Sequence, residues 1–136
     1  MIRRAMIRPG LGIVAAAVAS VASAAAVGLG PLSNEGATNT DRKGFYLTLI
    51  NPEPAVQQFR LYSVEWDSEM PVPRVRIPID QVALGGNSQG RVLVIDTGLA
   101  PGEVHRFRVC AEHIAPAQQE MIHARVCSKL TARRVA

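Results

Sequence analysis

Phe45-Tyr-Leu-Thr-Leu-Ile50 and Val56-Gln-Gln-Phe-Arg-Leu-Tyr-Ser-Val-Glu-Trp66 are two alternating runs separated by the turn Asn51-Pro-Glu-Pro54. A period of two puts every second side chain on one face, so each run predicts a half-buried strand, over 44–51 and 56–66. Working outward, residues 29–33 can form an irregular first strand, and the polar run 34–43 is expected to be a loop. Pro73-Arg-Val-Arg-Ile77 predicts a short edge strand, bounded by Pro71 and Pro78. Leu84-Gly-Gly-Asn-Ser88 predicts a turn in which glycine takes positive φ at little cost. Further strands are expected over 89–96, 103–112 and 121–131, with Leu99-Ala-Pro-Gly102 turning between the first two. Seven short strands without a helical run predict an all-β fold, a seven-stranded immunoglobulin-like sandwich.

The first 26 residues are of another kind. Arg3, Arg4 and Arg8 precede an apolar run over 11–21, and Ala22-Ser-Ala24 follows with the small residues of a cleavage site. That layout predicts a secretory signal peptide over 1–26 and a single domain over 27–136. The alternative is an uncleaved N-terminal anchor, for which the run is short of the roughly 20 residues a spanning helix needs.

Charge excludes little and supports less. The chain carries 15 basic and 11 acidic residues, but three of the arginines lie in the leader, leaving 12 against 11. Apart from Arg133-Arg134 there is no basic cluster, and none is interleaved with aromatics, so nucleic acid is not an expected partner. Only 4% of the residues are aromatic, so the core must be built from Val, Leu and Ile, which suit sheet packing. No serine lies in a nucleophile elbow, the three histidines lack flanking triad partners, and Gly85-Gly86 precedes a strand rather than a helix. The chain is not expected to be an enzyme, and no cofactor or metal is expected. His113 and His123 are expected to face solvent on the last hairpin.

Cys110 and Cys127 fall on the last two predicted strands, which are sequential and so expected to be neighbours. In an exported protein two cysteines have one possible pairing and an oxidising compartment in which to form it. A structural disulfide is expected. The alternatives are two reduced buried thiols or a metal site, the latter poorly served by this spacing.

The order of these segments resembles the first domain of the periplasmic pilus chaperones of the chaperone–usher pathway. Asn51-Pro, then Val56-Gln-Gln-Phe-Arg-Leu-Tyr and a tryptophan, is similar to that family's second and third strands, and Trp66 resembles its archaic branch. Pro71-Val-Pro73 resembles its proline-rich fourth strand, and Leu84-Gly-Gly-Asn-Ser-Gln89-Gly-Arg91 its Leu-x-Pro-Gly-x-x-Gln segment. Leu99-Ala-Pro-Gly-Glu103, Ile114-Ala-Pro116 and Val126-Cys-Ser-Lys129-Leu130 resemble the segments around its last two strands.

The resemblance implies a periplasmic chaperone for fimbrial or pilus subunits that lends its last strand to a pilin lacking one, or to another exported β-protein subunit, with the outer-membrane usher as a further candidate partner. The residues implied to bind the subunit are Ile122, Ala124 and Val126, as alternating apolar donors, and Lys129, which matches a lysine that holds the subunit's terminal carboxylate. Two departures accompany it. No arginine stands in the first strand, where the family places the partner of that lysine, and the family has two immunoglobulin-like domains where this sequence resembles the first. The competing expectation is an immunoglobulin-like structural or accessory protein of the cell envelope, in which Ala124 and Val126 simply line the sandwich interior.

Overall fold

Residues 26–114 and 124–136 are described by the computed structural model. The expected leader, except Ala26, lies outside these residues, as do Ile122 and His123. Nine strands run through them: β1 (Gly28–Gly30), β2 (Ser33–Thr38), β3 (Lys43–Ile50), β4 (Gln57–Glu65), β5 (Val75–Arg76), β6 (Gln81–Leu84), β7 (Gln89–Asp96), β8 (Val104–His113) and β9 (Arg125–Arg134). They form two sheets, β1-β3-β7-β5 and β2-β9-β8-β4-β6, packed as an immunoglobulin-like sandwich. Among the described residues there is no helix, and so none long and apolar enough to cross a membrane.

Alternation builds the core as expected. β3 turns Phe45, Leu47 and Leu49 inward against Val92 and Val94 of β7, in the register Phe45↔Val94 and Leu47↔Val92. From the facing sheet come Phe59 and Leu61 of β4, Phe107, Val109 and Ala111 of β8, and Leu130 and Ala132 of β9. Phe45 and Phe107 meet edge to face across the sandwich, ring centroids 6.2 Å apart.

Two strands stand where none was expected. β2 replaces the first half of the expected polar loop, and β6 precedes the Gly85-Gly86 turn, which raises the count from seven to nine. Ser33-Asn-Glu-Gly-Ala-Thr38 lacks alternation because it is an edge strand with little buried face. Main-chain bonds to β9 hold it, in a parallel register running from Ser33↔Lys129 to Thr38↔Arg134. The irregular first strand is divided at Pro31, which has no N–H for a ladder, so that β1 joins one sheet and β2 the other. β6 is four residues long and pairs along the first half of β4.

Asn51 ties the turns at one end. Its fully buried side chain donates through Nδ2 to the carbonyls of Ala55, Leu84 and Gly85 at 2.9, 3.1 and 3.0 Å, and its Oδ1 accepts from the Glu53 N–H at 3.0 Å. The two loops approach so closely that a Cβ on Gly86 would sit 1.9 Å from the Pro54 carbonyl oxygen. At the opposite end Asp96, fully buried on β7, accepts from Arg74 Nε at 3.4 Å and lies 2.7 Å from His105 Nδ1 on β8, joining the two sheets. Arg74 also donates to Glu103 at 3.0 Å. The Ala100 N–H, then Arg74, hold the Glu103 carboxyl below its ordinary pKa.

The edge of β9 and the charged face beside it

β9 is ten residues long but is not flanked evenly. β8 pairs with it along Arg125 to Arg133, whereas β2 covers the other side only from Lys129 to Arg134. The cover begins sharply: the Lys129 N–H donates to the Leu32 carbonyl at 2.9 Å, and Ser128 Oγ donates to the Pro31 carbonyl at 2.6 Å. Because main-chain direction alternates along a strand, the N–H groups of Cys127 and Arg125 point to the same side as that of Lys129. There, among the described residues, no strand pairs with them. Among the described residues a short main-chain edge is thereby left unpaired.

The residues expected to bind a subunit divide between two faces. Val126 has the parity of the core residues Ser128 and Leu130, is half-buried, and packs against the core cluster. Ala124 precedes the strand with the same parity and is also half-buried. Lys129 is exposed on the opposite, outer face, its Nζ 5.1 Å from the centre of the Trp66 ring. Among the described residues no carboxylate reaches Lys129 within ion-pair distance. Ile122 lies outside the described residues.

Cys110 and Cys127 face each other in register on β8 and β9 and are joined by a disulfide across a separation of 17 residues. It lies on the outer face, at the level of the open stretch. His113 departs from expectation: it is half-buried rather than solvent-facing, contacts Gln57, and stacks edge-on against Phe59 at 5.9 Å. Among the described residues no group of three or more His, Cys, Asp or Glu side chains could hold a metal ion.

Around the disulfide spreads a charged network that sequence spacing does not reveal, since its members are scattered from Arg60 to Arg125. Arg125 clamps Glu69 in a fork, Nη1 to Oε2 at 2.6 Å and Nη2 to Oε1 at 2.7 Å, and Nη1 also donates to the Tyr62 hydroxyl at 3.1 Å. Arg108 donates to Glu69 Oε1 at 3.2 Å and to the carbonyls of Glu65 and Ser68 at 3.1 and 2.9 Å, which holds the loop after β4 over the sheet. Arg60 pairs with Glu112. The Arg125 fork, helped by Arg108, holds the Glu69 carboxyl down at about 2. The same contact, with Tyr62, pushes the Arg125 guanidinium up. Neither β1 nor β2 carries an arginine, so the cations nearest Lys129 on its own face come from β8 and β9 instead.

No family model and no curated protein matches the sequence. Solved structures do match it. SafA pilin in complex with the SafB chaperone, from Salmonella enterica, superposes with a TM-score of 0.68 at 19% identity, over 82% of this chain and 55% of that one. The CsuC–CsuE chaperone–tip adhesion subunit pre-assembly complex, from the archaic chaperone–usher Csu pili of Acinetobacter baumannii, gives 0.61 at 13% identity, over 81% and 57%. The PapD-like domain 7 of human CEP192 gives 0.64 at 13% identity, over 99% of this chain and 94% of that one. The chain thus spans little more than half the length of the chaperone chains. At these identities the likeness is one of fold, and the fold is the immunoglobulin-like sandwich of the pilus chaperones of the chaperone–usher pathway.

Proposed function

We propose that this chain is a periplasmic, chaperone-like protein that binds a pilus subunit by pairing the open edge of β9 with it. The observation that carries the reading is that open edge, at Arg125 and Cys127, in a fold shared with chaperones solved together with a pilin and with a tip adhesion subunit. An unpaired main-chain edge is a template for strand addition, in which backbone bonds supply affinity and alternate side chains supply specificity. Ile122 then enters the subunit's groove, together with the solvent-facing parts of the half-buried Ala124 and Val126, while Lys129 meets its terminal carboxylate at the point where β2 begins and the partner strand must stop. The protein acts by binding rather than by catalysis. Export by the segment 1–26 brings it to the compartment in which Cys110 and Cys127 oxidise.

Co-expression with pilin subunits of its own organism, followed by pulldown and thermal unfolding, tests this. Ile122→Asp puts a charge into an apolar groove, where unpaired burial is costly, and should abolish capture while the domain unfolds at its usual temperature. Lys129→Ala should weaken capture less. Unchanged capture by a folded Ile122→Asp protein would end the reading, and unfolding of that variant would favour a residue that simply lines the sandwich.

A further inference from the structure

Arg125 stands on the open stretch of β9, yet its side chain leans away from the open side. It reaches across β8 to Glu69 and Tyr62, although its register partner on β8 is Glu112, which Arg60 occupies. Glu69 belongs to no strand; it sits in the loop after β4 and is 60% exposed. The two-bond ion pair of this face is therefore made between an exposed loop residue and the edge strand, across β8.

A partner strand added beside β9 changes what lies nearest to Arg125. It places one residue directly alongside, on the same outer face, with Cβ atoms about 4.5–5.5 Å apart. Glu69 is reached only across β8, with neighbouring strands spaced about 4.8 Å apart. An acidic side chain at that partner position is within easy reach of the guanidinium. Glu69 keeps one cationic partner in the exchange, since Arg108 Nη2 remains 3.2 Å from its Oε1.

Building on the edge-pairing reading above, we propose that Arg125 selects an acidic residue in the strand that pairs with β9, exchanging Glu69 for it and leaving the loop that carries Glu69 held by Arg108 alone. That loop also carries Trp66, the single tryptophan of the chain, which lies under Lys129. The exchange alters the surroundings of that loop and can be followed in the emission of one residue.

The test uses the mature chain and two synthetic extended peptides that alternate Val and Thr. One Thr is replaced by Glu in the first peptide and by Gln in the second. Calorimetric titration should show the Glu peptide binding up to about fivefold more tightly, the range of an exposed ion pair. Arg125→Gln should erase the difference, and Glu69→Gln should increase affinity for the Glu peptide. Trp66 emission should shift with the Glu peptide and not with the Gln peptide. If both peptides bind with equal affinity, the acidic selection is wrong and edge pairing stands. If neither binds, edge pairing falls and the selection falls with it. Thermal unfolding of both variants, each altered on the exposed outer face, separates loss of recognition from loss of fold.

Discussion

The two halves of β9 belong to one strand and one ladder, yet they live in different surroundings. From Lys129 to Arg133 the strand has β8 on one side and β2 on the other, and Leu130 and Ala132 are fully buried. From Arg125 to Ser128 β8 is its only partner strand among the described residues, and its inward apolar residue, Val126, is only half-buried. The contrast shows how a sandwich can expose a pairing edge without exposing its core. The closed half is anchored by β2 and β8, and the other half is held in register by β8 and the disulfide.

The sharpest way to break the comparison is to damage each half in turn. Leu130→Ala leaves a cavity at a fully buried site and should lower stability by about 2–5 kcal/mol in urea unfolding. Val126→Ala should cost only about 1 kcal/mol, because part of its surface already meets solvent. Equal losses would mean that the open half is as much part of the core as the closed one. Replacing both Cys110 and Cys127 by Ser removes a closure across 17 residues and should cost about 2–4 kcal/mol. Faster exchange of the open half in that variant would show that the disulfide holds its register.

Asn51→Ala serves as a remote control. It strips three carbonyls and one N–H of their partners, and a loss of about 1–3 kcal/mol is expected by thermal unfolding, with the contrast along β9 unchanged.

The smallest effect concerns the charged face. Glu69 has a folded-state pKa of about 2, below its ordinary 4.5, so the contribution of its ion pairs is present above 4.5 and is lost as pH falls toward 2. Trp66 emission, followed by acid titration, should change in that window, and Glu69→Gln should remove the change. A flat profile would mean that the loop is not held by Glu69.

Where alternation is strong, the sequence predicted the strands closely: residues 89–96 were expected as a strand and β7 is Gln89–Asp96. β3 and β4 were equally legible, since Phe45, Leu47, Leu49, Phe59 and Leu61 mark one face each. β2 was not, because an edge strand held by main-chain bonds needs no apolar period, and Ser33-Asn-Glu-Gly-Ala-Thr38 has none. The pairing of the two cysteines followed from their places on sequential strands. The Arg125–Glu69 fork could not be read, because its partners are 56 residues apart and only the curl of the loop after β4 brings them together. Asn51 was visible as a turn residue, but two of its four hydrogen bonds depend on the approach of Leu84 and Gly85 from 33 and 34 residues away.

Amide hydrogen exchange along β9, alone and with a bound pilin subunit, tests the central claim most directly. In the free protein the N–H of Cys127 should exchange quickly, and that of Lys129, bonded to the Leu32 carbonyl, slowly. Subunit binding should protect Cys127 and Arg125 and leave the closed half unchanged. Slow exchange of Cys127 in the free protein, or no added protection in the complex, would contradict an open edge that receives the partner strand.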